Sequence, residues 1–139
     1  MGSVYAEITL RNVMDTCRAQ DGHIKEEEIR SLTVNALVDT GAMTLCINED
    51  IRQKLGLKIT GSRPVRVANG VRVITQVTEP VDITWKDRTM ACKAVVIPGA
   101  ELVLLGAIPL EDLDLTVNPG ARELVGIHGD EWLCDVMSA

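Results

Sequence analysis

Asp39 is the side chain this sequence sets up most clearly for chemistry. Ala36-Leu37-Val38 precede it, so it ends an apolar run expected to be a buried strand. A carboxylate there is costly unless it is hydrogen-bonded or paired. Thr40 offers a hydroxyl, and Gly41 lets the backbone turn sharply and approach a neighbour closely. An acid so placed is a signature of functional sites. The tripeptide alone is weak, because Asp-Thr-Gly arises by chance in a chain of this length on the order of a few per cent of the time. Its surroundings carry the weight. The other reactive side chains fit less well. Cys17, Cys46, Cys92 and Cys134 form no Cys-x-x-Cys pair and have no histidine at zinc-ligand spacing, so reduced thiols and no metal site are expected. His23 and His128 sit in loop-like surroundings, which argues against a Cys-His nucleophile.

The elements that must position Asp39 read as mostly strand. Val4–Leu10 alternates, and Ile29–Val38 is a long strand ending at the Asp-Thr-Gly-Ala turn. Between them, residues 15–28 are polar and charged and read as a surface loop or hairpin excursion. After the turn, Thr44–Ile47 resumes as a strand. A short helix follows, with Asn48 as N-cap, acids in its first turn and Gly56 as its stop. Arg63–Ala68 and Val71–Thr78 flank Asn69-Gly70, the pattern of a hairpin with a type I′ turn. Val81–Trp85 and Thr89–Val96 make a second hairpin around Lys86-Asp87. Leu102–Leu105 ends in Gly106, and Pro109 opens a second short helix, Leu110–Leu113. Leu115–Val117 is a further strand, and residues 122–136 add one or two more. Leu104-Leu105-Gly106-Ala107 echoes Leu37-Val38-Asp39-Thr40-Gly41-Ala42, and each is followed by a helix, which suggests two related halves about one axis.

Length and composition bound the function. The 139 residues suit one domain, 1–139, with a core over about 4–118 and an extension over 119–139. Phe is absent and Trp85, Trp132 and Tyr5 are the only aromatics, so Val, Ile and Leu must build the core. The net charge of −6, with no basic cluster in the sequence, argues against nucleic acid as a partner. No apolar stretch approaches the roughly 20 residues of a membrane span. No signal-peptide pattern opens the chain, so the cytoplasm is the expected location.

The order of apolar run, Asp-Thr-Gly-Ala, strand, helix, hairpin and Leu-Leu-Gly before a helix resembles the retropepsin-like, retroviral-type aspartic proteases, and most of all their single-domain cellular relatives. The matching residues are Ala36–Ala42, the Asn69-Gly70 hairpin and Val103–Gly106, within about residues 4–118. The resemblance implies a closed, mostly β acid-protease barrel with one or two short helices. It implies an aspartic endopeptidase acting on peptide or protein substrates without cofactor or metal. One Asp-Thr-Gly per chain implies a homodimer, with Asp39 from each copy flanking one water on the two-fold axis. One carboxylate would take a proton from that water and the other would donate to the peptide carbonyl. The resemblance further implies that Thr40 braces the two loops across the dimer, that Gly41 and Ala42 line the substrate, and that Ala68, Asn69 and Gly70 form the tip of a closing flap. The 119–139 extension would join the dimer sheet or cap it. Met43 and Ala107 stand where many members carry an acid and an arginine that pair, which reads as an ion pair replaced by apolar contact. Two other readings stay open: a non-catalytic dimeric binding or regulatory module that keeps the fold, and an unrelated β-barrel in which Asp39 only caps a turn. Solution mass and the Asp39→Asn variant separate them.

Overall fold

The structure, a computed structural model, describes residues 2–136. Strand β1 (Tyr5–Asn12) runs straight into helix α1 (Val13–Gln20), so the expected loop over 15–28 is corrected to a helix followed by a single 3-10 turn at Glu26–Glu28. Asn12 starts the helix by accepting from the Asp15 N–H at 3.0 Å. The polar look of this stretch conceals a buried acid: the Asp15 side chain is 2 % exposed. It accepts from Arg30 N (3.0 Å), Nε (2.8 Å) and Nη2 (2.9 Å). Those bonds hold its carboxyl below the usual range.

Strand β2 (Ser31–Val38) pairs antiparallel with β1, from Tyr5↔Leu37 to Arg11↔Ser31. After the Asp39 turn come β3 (Leu45–Ile47) and α2 (Glu49–Leu55). Asn48 caps α2 through the Ile51 N–H at 2.9 Å, and Gly56, at φ 63°, ends it in the left-handed conformation, as the sequence implied.

Strands β4 (Ile59–Arg66) and β5 (Arg72–Trp85) form the next hairpin. Its turn is not type I′. Only Gly70 has positive φ (83°); Gly70 N–H donates to Val67 O (2.8 Å) and Val67 N–H to Val71 O (3.0 Å). This is a three-residue loop closed by a glycine bulge, a form that also uses Asn-Gly but leaves Asn69 at negative φ. The Asn69 side chain accepts from Val71 N–H at 3.0 Å, which favours this form. Strand β5 continues through Pro80, where two strands were expected. The break is a bulge between Val77 and Pro80, patched by buried Thr78, whose hydroxyl accepts from Ala94 N–H at 3.1 Å.

Strand β6 (Arg88–Val96) follows the Lys86-Asp87 turn, then β7 (Leu104–Leu105) and α3 (Ala107–Asp112), which starts two residues before Pro109. The α-helices therefore number three among the described residues, not one or two. Strands β8 (Leu115–Asn118) and β9 (Glu123–Gly126) form a separate two-stranded sheet. Residues 122–136 add only β9 as a strand.

The main sheet runs β1-β2-β7-β3-β6-β5-β4, and β1 also pairs with β5 from Thr9↔Thr84 to Asn12↔Val81, so the pairing returns to its first strand. Its interior is aliphatic: Ile8, Leu10, Leu45, Ile47, Val81, Ile83 and Leu105 are essentially inaccessible. The described part of the extension packs on its own chain. Leu124 joins the core, and Trp132 Nε1 donates to Asp112 O at 3.0 Å. Buried Arg88 donates from Nη1 to Leu113 O (2.8 Å) and Asp114 O (2.9 Å), and from Nη2 to Gly129 O (2.8 Å). Residues 137–139 lie outside the described residues. Among the described residues no helix is long and apolar enough to cross a membrane.

Candidate active site

The echo seen in the sequence is a neighbour relation in space. Strands β2 and β7 lie side by side and parallel, with Leu37↔Leu104 and Val38↔Leu105 in register. Asp39 N–H donates to Leu105 O at 3.0 Å, which pins the start of the Asp39 turn to the partner segment. Two further main-chain bonds close the link: Ala107 N–H to Ala42 O (2.8 Å) and Ile108 N–H to Met43 O (2.9 Å). Gly106 sits where the segments cross. A Cβ there would lie 2.4 Å from Thr44 O and 2.7 Å from Ala42 O, so the approach requires glycine. At Met43 and Ala107 the loops are thus joined by main chain, and Met43 is 62 % exposed.

Asp39 itself is half-buried, less than the apolar run implied. Within β2 only Ala36 is fully buried, because the strand's end opens into a groove. Asp39 Oδ1 accepts from Gly41 N–H at 2.9 Å, and Ala42 N–H closes the turn on Asp39 O at 3.1 Å. A Cβ on Gly41 would stand 3.2 Å from that carboxylate oxygen, so glycine leaves room for the donor. One carboxylate oxygen is therefore held by the main chain.

The groove has a volume of about 1000 Å³ and passes between the Asp39 turn and the β4–β5 hairpin. Asp39, Gly41, Ala42 and Ala68 all line it. Thr40, Asn69 and Gly70 are exposed and do not line it, the last two lying beyond it at the hairpin tip. Its walls include Val65, Val67, Val77 and Ile108, which the sequence did not single out, and Met43, Cys46 and Cys92, which it did not place in a groove. Burial, then the nearby Asp39 charge and Cys92, push the Cys46 thiol up to about 11. Burial also raises Cys92. Both are poor thiolates. Among the described residues no cluster of three or more His, Cys, Asp or Glu side chains could hold a metal ion.

A family profile described as aspartyl protease matches residues 26–108, a span that contains the Asp39 turn, the groove hairpin and the Gly106 crossing. The chain belongs to the aspartyl protease family. Its fold is retropepsin-like, mostly β with three short helices. It is similar to the retropepsin-like aspartic protease from Rickettsia conorii, at 17% identity over 84% of this chain and 77% of that one, with a TM-score of 0.54. It is similar also to the retroviral protease-like domain of Ddi1 from Leishmania major, at 13% identity over 95% of this chain and 88% of that one, with a TM-score of 0.55. No curated protein sequence matches the chain.

Proposed function

We propose that this protein is an aspartic endopeptidase that works as a homodimer, with Asp39 of each copy forming the catalytic dyad. The observation that carries the reading is a half-exposed carboxylate, held by the Gly41 N–H, lining an otherwise largely apolar groove. The chain has a single Asp-Thr-Gly, so a dyad needs a second copy. Exposed Thr40 is free, in this reading, to donate across the two-fold axis. The ring of strand pairings fits a closed acid-protease barrel.

Two carboxylates about 3 Å apart do not both ionise readily; they share a proton and titrate as a pair. The ionised member takes a proton from the water between them as it attacks the peptide carbonyl. The protonated member donates to the carbonyl oxygen. The main-chain links from Asp39 to Leu105 and from Ala107 to Ala42 keep the carboxylate from drifting. The β4–β5 hairpin closes over the bound peptide and excludes water, with Ala68, Asn69 and Gly70 at its tip. Gly41 and Ala42 contact the peptide main chain. The test is cleavage of a diverse peptide library at about pH 4–6 by the wild type and by Asp39→Asn, alongside mass in solution. The reading requires cleavage by a dimer and its loss in the variant.

A further inference from the structure

The hairpin over the groove is charged in a way the rest of the chain is not. Residues 59–78 hold three arginines, Arg63, Arg66 and Arg72, and no Asp or Glu, in a protein whose acids outnumber its bases by 20 to 14. Arg63 and Arg66 line the groove with Lys93 of β6, and among the described residues Asp39 is the only carboxylate lining it. Among the described residues, no carboxylate forms a salt bridge with any of these four cations. Arg66 and Arg72 stand directly opposite each other across the β4–β5 ladder. Like charges so placed repel and destabilise a hairpin. Arg66 lines the groove and Arg72 does not, so an anion held in the groove beside Arg66 would relieve part of that repulsion.

We propose that the groove selects acidic peptides: extended segments with apolar side chains at the scissile bond and Asp or Glu at the outer positions. This rests on reading the groove as a protease cleft. Apolar Met43, Val65, Val67 and Ile108 suit the central side chains. The outer carboxylates pair with Arg63, Arg66 and Lys93, and an arginine fork suits a carboxylate bidentately. The chain's net charge of −6 does not prevent this, because charges beyond roughly 8 Å are screened at physiological salt. A closed hairpin also strengthens the local pairs by removing water. No Trp or Tyr lines the groove, so it lacks the stacking platform a single-stranded nucleic acid uses.

The test measures binding of fluorescent peptides to full-length Asp39→Asn protein, which binds without cutting, with three peptides sharing one apolar centre and carrying Glu, Gln or Lys outside it. The Glu peptide is expected to bind about tenfold tighter than the Gln peptide at low salt and the Lys peptide weakest, with the advantage shrinking as salt rises. Arg63→Gln with Arg66→Gln should remove the advantage, and Lys54→Gln on α2 should leave it. Equal affinities, no binding of the Glu peptide, or a single-stranded oligonucleotide binding as tightly would each overturn the inference. The wild type is run in parallel for cleavage. Equal cleavage of Glu and Gln peptides overturns acid selection and leaves the protease reading standing. Selective binding without cleavage by the wild type does the reverse.

Discussion

Gly106→Ala tests the crossing that holds the Asp39 turn. The added Cβ would lie 2.4 Å from Thr44 O and 2.7 Å from both Ala42 O and Thr44 N. All three are main-chain atoms of the opposite segment, so no side chain can swing away, and the segments must part. Overpacking by one methyl costs about 1–3 kcal/mol. Parting also loosens the Ala107–Ala42 and Ile108–Met43 bonds, each worth about 1 kcal/mol net. The expected loss is therefore about 3–5 kcal/mol of unfolding free energy. Gly61→Ala is the control, because a Cβ there meets nothing within 4 Å. It should change stability by no more than about 0.5 kcal/mol. Urea unfolding of both variants and the wild type reads this directly through the midpoint at constant slope. In the protease reading, Gly106→Ala should also reduce cleavage under conditions where it remains folded, because Asp39 N–H hangs on Leu105 O beside it. A Gly106→Ala protein as stable as the wild type would show that the segments do not approach as closely as argued.

Asn48→Ala removes the α2 cap and a bond from Asn48 Nδ2 to Ala100 O, and should cost about 1–2 kcal/mol in the same assay; no change would mean that α2 is held by packing alone. The His128 Nδ1 to Asp114 Oδ2 contact of 2.7 Å lowers the Asp114 carboxyl and raises the His128 imidazole. The histidine's contribution to stability is full below its ordinary 6.5 and is lost as pH rises through its raised value. The aspartate's is present above its ordinary 3.8 and is lost as pH falls through its lowered value. The stability gap between wild type and His128→Gln should therefore be widest between those ordinary values and close on both sides, and a gap that is flat with pH would contradict the pairing. With its thiol pushed up to about 11, Cys46 should alkylate far more slowly at neutral pH than exposed Cys17 and Cys134, as read by peptide mass mapping. Rapid labelling of Cys46 would show that its strand is not buried.

Signals that act within a few residues were legible in the sequence. Asn48 and Gly56 bracket α2 as their types require, and the apolar run before Asp39 correctly places a strand and a turn. Signals that depend on distant partners were hidden. Asp15 looks like a surface acid until Arg30, fifteen residues on, folds over it, so the sequence of α1 has the look of a loop. Asn69-Gly70 fits two hairpin geometries, and the choice lies in φ of Asn69 and its own side-chain bond. Pro80 looks like a strand end because the Thr78 hydroxyl that patches the bulge bonds across to Ala94. The joining of Lys93 to the hairpin arginines along the groove was hidden as well. Arg63 and Arg66 lie thirty and twenty-seven residues before Lys93 in an acidic chain, and they line one groove only because β4 and β6 belong to the same sheet.

In the proposed mechanism Asp39 is half of a catalytic pair completed by a second copy. The most direct measurement mixes wild-type protein with a growing excess of Asp39→Asn and follows peptide cleavage at constant wild-type concentration, after confirming that the two mix into dimers. If each site needs one Asp39 from each copy, activity falls with the fraction of wild-type chains that still meet another wild type, and pure Asp39→Asn is inactive. Activity that stays proportional to wild-type protein, or that persists in pure Asp39→Asn, would rule out a site shared between two Asp39 carboxylates.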